Sequence, residues 1–524
     1  MTDYYLGVVP QSVEWELRAN VARFASPMGG VTRTLERVGS RWACTFKWDV
    51  LFDKDAARIR SFLASQRGGA NRFWFTDPAY SMRGSYSAPE VLTSSDLSTT
   101  TSWSTAGTSV ILTAADNTIR VTNTAYGANP QARQSSLTTV QYAPYATQGV
   151  VQSGKGATPS FVVFMNDGVS APQSSARTNG KGTVAAVVEA ATCDFGPAGY
   201  NSLSGPAGDY FDMTYASAAR CALVDNGANA LVRSDEFDNA AWSKTNLTIS
   251  ANAVPAPDGT MTMDAATENV AVGVQHFVQQ SAARASTDED LCGYIVAVRG
   301  AGTRDINLIV DDGASNGGSA LFNLTTGAVS GVGALGTATR VRAFSVDMGS
   351  GRYACYVIAR CPATVTMRTL AAFYNGSTTT YTGDGTSVIY FWRGGVARSG
   401  VPTKGVQTMA SAFATGASQT GSALNLKGLP ASTNGLLYAG DLVEIITPTY
   451  SELKRVTAPL NSDAAGLGYL QFEPILRQSP DDNAAVIIRK PMCRMLLDES
   501  TVKTQHTPAG FMSVSFTAVE DVAV

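Results

Sequence analysis

Few residues of this 524-residue chain are suited to acid–base, nucleophilic or metal chemistry. There are two histidines, His276 and His506, which weakens any case for Ser-His-Asp, Cys-His or histidine-rich zinc chemistry. The seven cysteines, at 44, 193, 221, 292, 355, 361 and 493, form no CxxC pair and are odd in number, so they read as small core residues. Hydrolysis by paired carboxylates needs no histidine. The acidic clusters are Asp235-Glu236 and Asp288-Glu289-Asp290. Adjacent residues on a strand face opposite sides, so neither cluster reads as an acid/base pair, and both read as solvated loop residues. Gly331-Val332-Gly333 lacks the Lys-Ser/Thr of a phosphate-cradling loop. Asp311-Asp312-Gly313 and Asp384-Gly385 offer oxygens to calcium but lack the spacing of a calcium loop, and turn chemistry explains them. No catalytic residue, metal site or cofactor is expected.

A second kind of chemistry needs only aromatic faces and a few polar groups. Sugars stack their C–H faces on aromatic rings and hydrogen-bond to Asp, Asn or Arg. Trp242, His276, Arg299, Tyr374 and Trp392 are the candidates for such a site. Each has a plainer alternative. Trp242 and Trp392 also read as core fillers, His276 as a partly exposed polar residue, and Arg299 as a surface residue at a strand end. Tyr374, beside the turn signal Asn375-Gly376, is the best ligand candidate.

The elements that must position these residues read as β. Val13, Trp15 and Leu17 alternate with Glu14, Glu16 and Arg18, and Trp42, Cys44, Phe46, Trp48 and Val50 alternate with Arg41, Ala43, Thr45, Lys47 and Asp49. One short helix follows. Asp53 is placed to cap it, Phe52 to staple its first turn, and Ile59, Phe62 and Leu63 to form its buried stripe. Gly68-Gly69 ends it, and Phe73-Trp74-Phe75 is a strand. This piece leaves sheet edges unpaired and needs a partner. The C-terminal zone supplies strands at 423–426, 442–446, 453–456, 469–472, 486–488, 492–497 and 513–519. Between the two ends, 293–298, 306–310, 354–359 and 388–392 are strands separated by Gly, Asn and Asp turns, the pattern of a sandwich.

Charge marks three zones. Asp, Glu, Lys and Arg number 20 in residues 1–87, 15 in the 145 residues of 88–232, and 19 in the 114 residues of 411–524. The ends therefore resemble each other more than the middle, as a single domain interrupted by an insertion would. Within the middle, Trp103 and Trp242 head two similar stretches, and Asp209-Tyr210-Phe211 resembles Ile389-Tyr390-Phe391. Two copies with unequal loops is one reading, and chance similarity in low-complexity sequence is the other. The expected architecture is mainly β: a discontinuous barrel or sandwich core from 1–87 with 411–524, and inserted sandwiches at 88–230 and 231–410. The net charge of −3 provides no general nucleic-acid footprint, and no apolar run is long enough to span a membrane. The start, Met1-Thr2-Asp3-Tyr4-Tyr5, lacks the basic and apolar regions of a signal peptide, so release by lysis is expected rather than secretion.

Two stretches carry a family resemblance. One is Ala56-Ala57-Arg58-Ile59-Arg60-Ser61-Phe62-Leu63, then Arg67-Gly68-Gly69-Ala70-Asn71-Arg72-Phe73, Asp77-Pro78 and Arg83-Gly84. The other runs from Gly428-Leu429-Pro430 through Leu437-Tyr438-Ala439-Gly440-Asp441, Arg455-Val456 and Asp463-Ala464-Ala465-Gly466 to Phe472-Glu473-Pro474-Ile475-Leu476-Arg477 and Pro491-Met492. In this order they resemble distal-tail-type proteins of long-tailed bacteriophages, over well under half of the chain. Such proteins usually hold the two parts close in sequence, so the departure here requires an insert. Leu231 to Trp242 resembles the opening of jelly-roll, carbohydrate-binding-like modules of phage tail proteins. The resemblance implies a virion protein without enzymatic activity. It implies a hexameric ring at the distal tail end or baseplate, contacting the tail tube protein and baseplate hub proteins, with no membrane insertion and no nucleic acid beyond the tail lumen. The inserts would project outward, where they could bind host-surface polysaccharide. A polysaccharide depolymerase or glycosidase with accessory binding modules is the alternative.

Overall fold

In a computed structural model the chain is mainly β, and the described residues contain one α-helix, Asp53–Gln66, that runs into a short 3-10 turn, Arg67–Gly69. The described residues run from 3 to 521 apart from short stretches, the longest being 26–31, 124–130, 175–179, 201–209, 410–418 and 507–511.

The strand Arg41–Leu51 buries Trp42, Cys44, Phe46 and Trp48 on one face; Ala43 is buried as well, and at the strand's end Val50 is exposed, against expectation, while Leu51 is buried. Its partners come from both ends of the chain. One sheet is ordered Asp3–Tyr5, Arg72–Phe75, Cys493–Leu497, Met512–Glu520, Arg41–Leu51, Ser12–Arg18, with Lys503–His506 added to Met512–Glu520. Phe46 stands opposite Phe516, and Trp74 opposite Arg494. Phe46, Phe75 and Phe516 meet with ring centroids 4.7 and 5.1 Å apart, so one aromatic core binds the two termini. The helix closes this core through Ile59, with Phe62 and Leu63 packed beside it. The helix start differs from expectation. The cap position is Phe52, in extended backbone, and Asp53 is the first helical residue. Phe52 is 61% exposed, so it adds little to the buried core beneath the helix.

The C-terminal residues also form a closed six-stranded barrel, which leaves no free edge. Its wall runs through Ala423–Lys427, Gly468–Glu473, Ser451–Val456, Leu442–Ile446 and Ala485–Ile487. The sixth strand is Ala222–Val224, far away in sequence, which pairs with 423–427 on one side and 485–487 on the other. Three residues carry too little alternation to read as a strand, so the barrel's closure was not visible in the sequence. Trp42 Nε1 donates to the Leu453 carbonyl at 2.9 Å, and Asp441 accepts from the backbone N–H groups of Arg83 and Gly84 at 2.7 and 3.0 Å. A Cβ on Gly84 would lie 2.0 Å from the Leu436 carbonyl oxygen, so only glycine lets the chain pass this close to the barrel.

Two sandwiches leave this body. The first packs a four-stranded sheet on a five-stranded one, with Trp103, Phe195 and Phe211 in its core. The second is built on two 23-residue strands, Phe277–Arg299 and Arg352–Tyr374. These pair with each other along most of their length, broken by register shifts between Ala283 and Glu289. At that bend each passes from one layer of the sandwich to the other. One half of each pairs with Val388–Arg398 or Thr339–Asp347, the other with Ser243–Thr245 or Asp305–Asp311. Strands that switch layers at a bulge are a known way to turn a sandwich corner.

The modules are locked together by buried charge. Glu444, fully buried in the barrel wall, forms an ion pair with Lys181 of the first sandwich. It also accepts from Gln148 Nε2 at 3.1 Å and the Met492 N–H at 2.9 Å. Lys181 in turn lies 4.7 Å above the Trp74 ring of the terminal sheet. Lys427 bridges Asp225 and Asp482 beside the barrel seam at 3.7 and 3.0 Å.

Two predictions follow from this arrangement. Lys181→Met strands the Glu444 carboxylate without its counter-charge and should lower stability by about 3–5 kcal/mol in chemical denaturation. Val224 pairs with Leu426, and the Asp225 N–H donates to the Asn425 carbonyl at 2.9 Å, so the second sandwich hangs from a hairpin. Joining residue 226 to residue 424 through an Asn-Gly turn should give a cooperatively melting protein. Replacing 88–410 as one block should not, because it removes a barrel strand; thermal melts of both deletions decide this.

Candidate functional site

The five sugar-site candidates do not converge. Trp242 is 2% exposed, stacks on Phe237 with centroids 4.4 Å apart, and donates its indole N–H to the Arg233 carbonyl at 2.8 Å. Trp392 is also buried, in a cluster with Tyr294, Tyr356 and Ala465, the last from the barrel hairpin. Neither ring offers a face to solvent; both take the core position among the alternatives weighed for them. His276 departs from both readings made of it. It is fully buried and stacked on Tyr381 at 4.9 Å, with neither ring nitrogen hydrogen-bonded among the described residues. Arg299 ends its strand as expected, but its guanidinium is spent on an ion pair with Asp305 and a 3.2 Å bond to the Arg304 carbonyl. Tyr374 ends the strand Arg352–Tyr374, opposite Asp305, and stays half-exposed. The turn after it is held by Asn375 Oδ1, which accepts from the N–H groups of Ser377 and Thr378 at 3.0 and 2.8 Å.

Near Tyr381 the second sandwich has a polar end. The buried Glu268 carboxylate accepts from Tyr381 Oη at 2.6 Å, Arg304 Nη2 at 2.7 Å and the Asp384 N–H at 2.8 Å. Burial, joined by Glu268, holds the Tyr381 hydroxyl well above its ordinary range. The Asp384 carboxyl lies well below the usual carboxylate range because Ser387 and Thr386 donate to it, which outweighs its desolvation. Asp384 and Asp312 spend their oxygens on turn amides: Asp312 Oδ1 accepts from the N–H groups of Ala314 and Asn316 at 2.7 and 3.0 Å. This end is a set of closed hydrogen-bond circuits.

The open site lies elsewhere. Where the two sandwiches meet the barrel, a pocket of about 430 Å³ opens to solvent. That volume falls in the range of about 300–1,000 Å³ common to small-molecule sites. Its apolar wall comes from Pro172, Ala185 and Val187 of the first sandwich and Leu223 of the barrel. Its charged wall comes mainly from the second sandwich. Arg340 reaches across to Glu189 of the first sandwich and also pairs with Asp290. Arg398 Nε meets Glu289 at 2.5 Å, and the buried Arg284 meets the same carboxylate at 3.2 Å. Arg340 has a left-handed backbone (φ 57°) within the register shift between Thr339 and Arg342. Such a conformation costs on the order of 1 kcal/mol or more in a non-glycine residue, and here it turns the guanidinium toward the neighbouring module.

Sequence reading missed this site. It placed Glu289 and Asp290 in solvated loops, but they lie on a long strand just beyond its bend, and burial raises the Asp290 carboxyl above its ordinary range. The available signal was Arg340-Val341-Arg342, charges at alternate strand positions. Their carboxylate partners lie far away in sequence, so spacing alone does not reveal them.

Trp242→Ala should lower stability by about 3–5 kcal/mol. Tyr374→Ala should shift it by no more than about 0.5 kcal/mol. Thermal and denaturant melts of the two variants, read together, separate a core ring from a surface one.

No protein-family model and no curated protein matches the chain. Among solved structures it is similar to the N-terminal CBM22-1-CBM22-2 tandem domain of Paenibacillus barcinonensis Xyn10C, at 13% identity and a TM-score of 0.22 over 61% of this chain and 100% of that one. It is similar to the adhesin domain of Epf from Streptococcus pyogenes, at 11% identity and a TM-score of 0.21 over 53% of this chain and 93% of the other. A third likeness is to the M60 catalytic domain with the CBM51-1 and CBM51-2 domains of Clostridium perfringens ZmpB, at 9% identity and a TM-score of 0.14 over 73% and 43%. At these values none of the three assigns the chain to a family.

Proposed function

We propose that this chain is a structural protein of a bacteriophage tail tip, assembled as a ring and displaying two β-sandwiches that engage host-surface polysaccharide. The observation that carries the reading is the terminal sheet. Residues of the first 75 positions and of the last 32 hydrogen-bond strand to strand, across more than 400 intervening positions. The resemblance of the two end zones to distal-tail-type proteins requires this juxtaposition. By that resemblance the body forms a homo-hexamer against the tail tube protein and baseplate hub proteins, and the protein resides in the virion. Head-to-tail contacts that close on themselves give such a ring. Sixfold display would raise apparent affinity for a repetitive glycan by about 10²–10⁴-fold when several sites engage together. Sandwiches fixed to a rigid body suit that role better than flexible tethers, because their relative geometry is set before binding.

One observation favours a second reading. The junction pocket gathers three carboxylates, Glu189, Glu289 and Asp290, and glycoside hydrolysis uses two. Each of the three is paired with an arginine, which fixes its position. Release of reducing ends from host capsule would establish the enzyme.

Electron microscopy of the purified protein and of virions should show sixfold rings at the tail end. Monomers at all concentrations, together with absence of the chain from purified tails, would overturn the tail reading.

A further inference from the structure

The pocket at the three-module junction contains one cation that acts on the buried Asp290 carboxyl only at longer range, without a hydrogen bond or ion pair among the described residues. Arg340 is held by Glu189 and Asp290, and Arg398 by Glu289. Behind them, Arg342 donates to the Gly400 carbonyl and lies 4.2 Å from the Tyr142 ring centroid. Arg360 also lines the pocket and stands directly opposite Asp290 across the two long strands. Among the described residues it makes no hydrogen bond and no ion pair, and its charge reaches Asp290 only through space. A half-buried guanidinium in a cleft, among arginines whose donors are taken, keeps its donor fork open to a ligand.

The arginines of this region are also crowded. Arg284, Arg340, Arg342, Arg360 and Arg398 share it, with Arg284 facing Asp312 as well as Glu289. Arg340 registers the crowding: burial first, then Arg360 and Arg342, bring its guanidinium down to about 10. A single negative charge at Arg360 would relieve this. A dianion would also meet the carboxylates of Glu289 and Asp290, which disfavours it.

The remaining walls narrow the ligand class. Pro172, Ala185, Val187 and Leu223 form an apolar face suited to ring C–H groups, and the exposed Asn483 offers a partner for sugar hydroxyls on the rim. We infer that this pocket binds the carboxylate of an acidic saccharide, a uronic-acid-type residue, with Arg360 as its bidentate anchor. The inference rests on the reading of the protein as a glycan-displaying one and names the sugar class that it would select. It also makes the junction, rather than the outer end of either sandwich, the recognition site.

The test is isothermal titration calorimetry on the full-length protein with glucuronate, with glucose and acetate as controls, for the wild type, Arg360→Gln and Arg360→Lys. The expected result is saturable glucuronate binding, none with glucose, and much weaker binding of acetate. Loss of a charged bidentate contact should weaken glucuronate binding about 10- to 100-fold in Arg360→Gln, with partial recovery in Arg360→Lys. The melting temperature of Arg360→Gln should fall only slightly, since no hydrogen bond or ion pair is lost and only the longer-range attraction to Asp290 goes. Glucuronate binding unchanged in Arg360→Gln would overturn the inference. So would acetate binding as tightly as glucuronate, which would show a simple anion site. If glucuronate is ignored while host polysaccharide fragments bind, the pocket inference fails and the display reading stands. If neither binds, both fail.

Discussion

A carboxylate buried beyond the reach of water has to be answered by the protein, and Glu444 is answered from three directions. Lys181 comes from the first sandwich, the N–H of Met492 from the segment entering the terminal sheet, and Gln148 from a second strand of the first sandwich. Removing any one leaves a desolvated polar group. The arrangement is therefore more than glue. It penalises every docking of the first sandwich other than the one observed, since apolar contacts alone tolerate small slides and a buried ion pair with fixed hydrogen bonds does not. The position of the junction pocket follows, because its apolar wall is the strand Gly180–Val187, which contains Lys181 itself.

The arginine-rich face of that pocket uses the same physics with a looser fit. Arg340 adopts a left-handed backbone to reach Glu189 in a different module, so the strain is tied to the contact between sandwiches. Gly400 contributes by what it lacks: a Cβ there would stand 2.5 Å from Asp290 Oδ2. Backbone and side chain thus approach closely around Asp290, and the pocket's shape is held by paired charges that leave the Arg360 donor fork open.

Much of this fold could be read from the residues. Strict alternation located Arg41–Leu51 and Met512–Glu520, and the aromatic run located Arg72–Phe75, because half-buried strands write their burial into every second position. The helix stripe was legible for the same reason, while its cap was not: Asp53 has the right chemistry one position too late. Two features left no local trace. Ala222–Val224 is buried on both faces and only three residues long, so it looks like linker. Of the two long strands of the second sandwich only 293–298 and 354–359 were legible, since the bend interrupts the alternation. The sugar-site candidates show a related limit. A tryptophan's type announces its size, and whether that size fills a core or faces a ligand is decided by residues elsewhere, such as Phe237 against Trp242.

The barrel strand Ala222–Val224 also dictates an order of events during synthesis. Residues 41–75 emerge from the ribosome with their sheet partners, 493–520, still more than 400 positions away, and 222–224 must wait for 423–427 and 485–487. Each sandwich can close from its own residues as it appears, whereas the body that carries them cannot begin until translation is nearly complete. With elongation at about 5–20 residues per second, the aromatic strands near the N-terminus stay uncovered for about twenty seconds or longer. This places the chain among those whose nascent form depends on being shielded, and whose finished body must be the last part to fold.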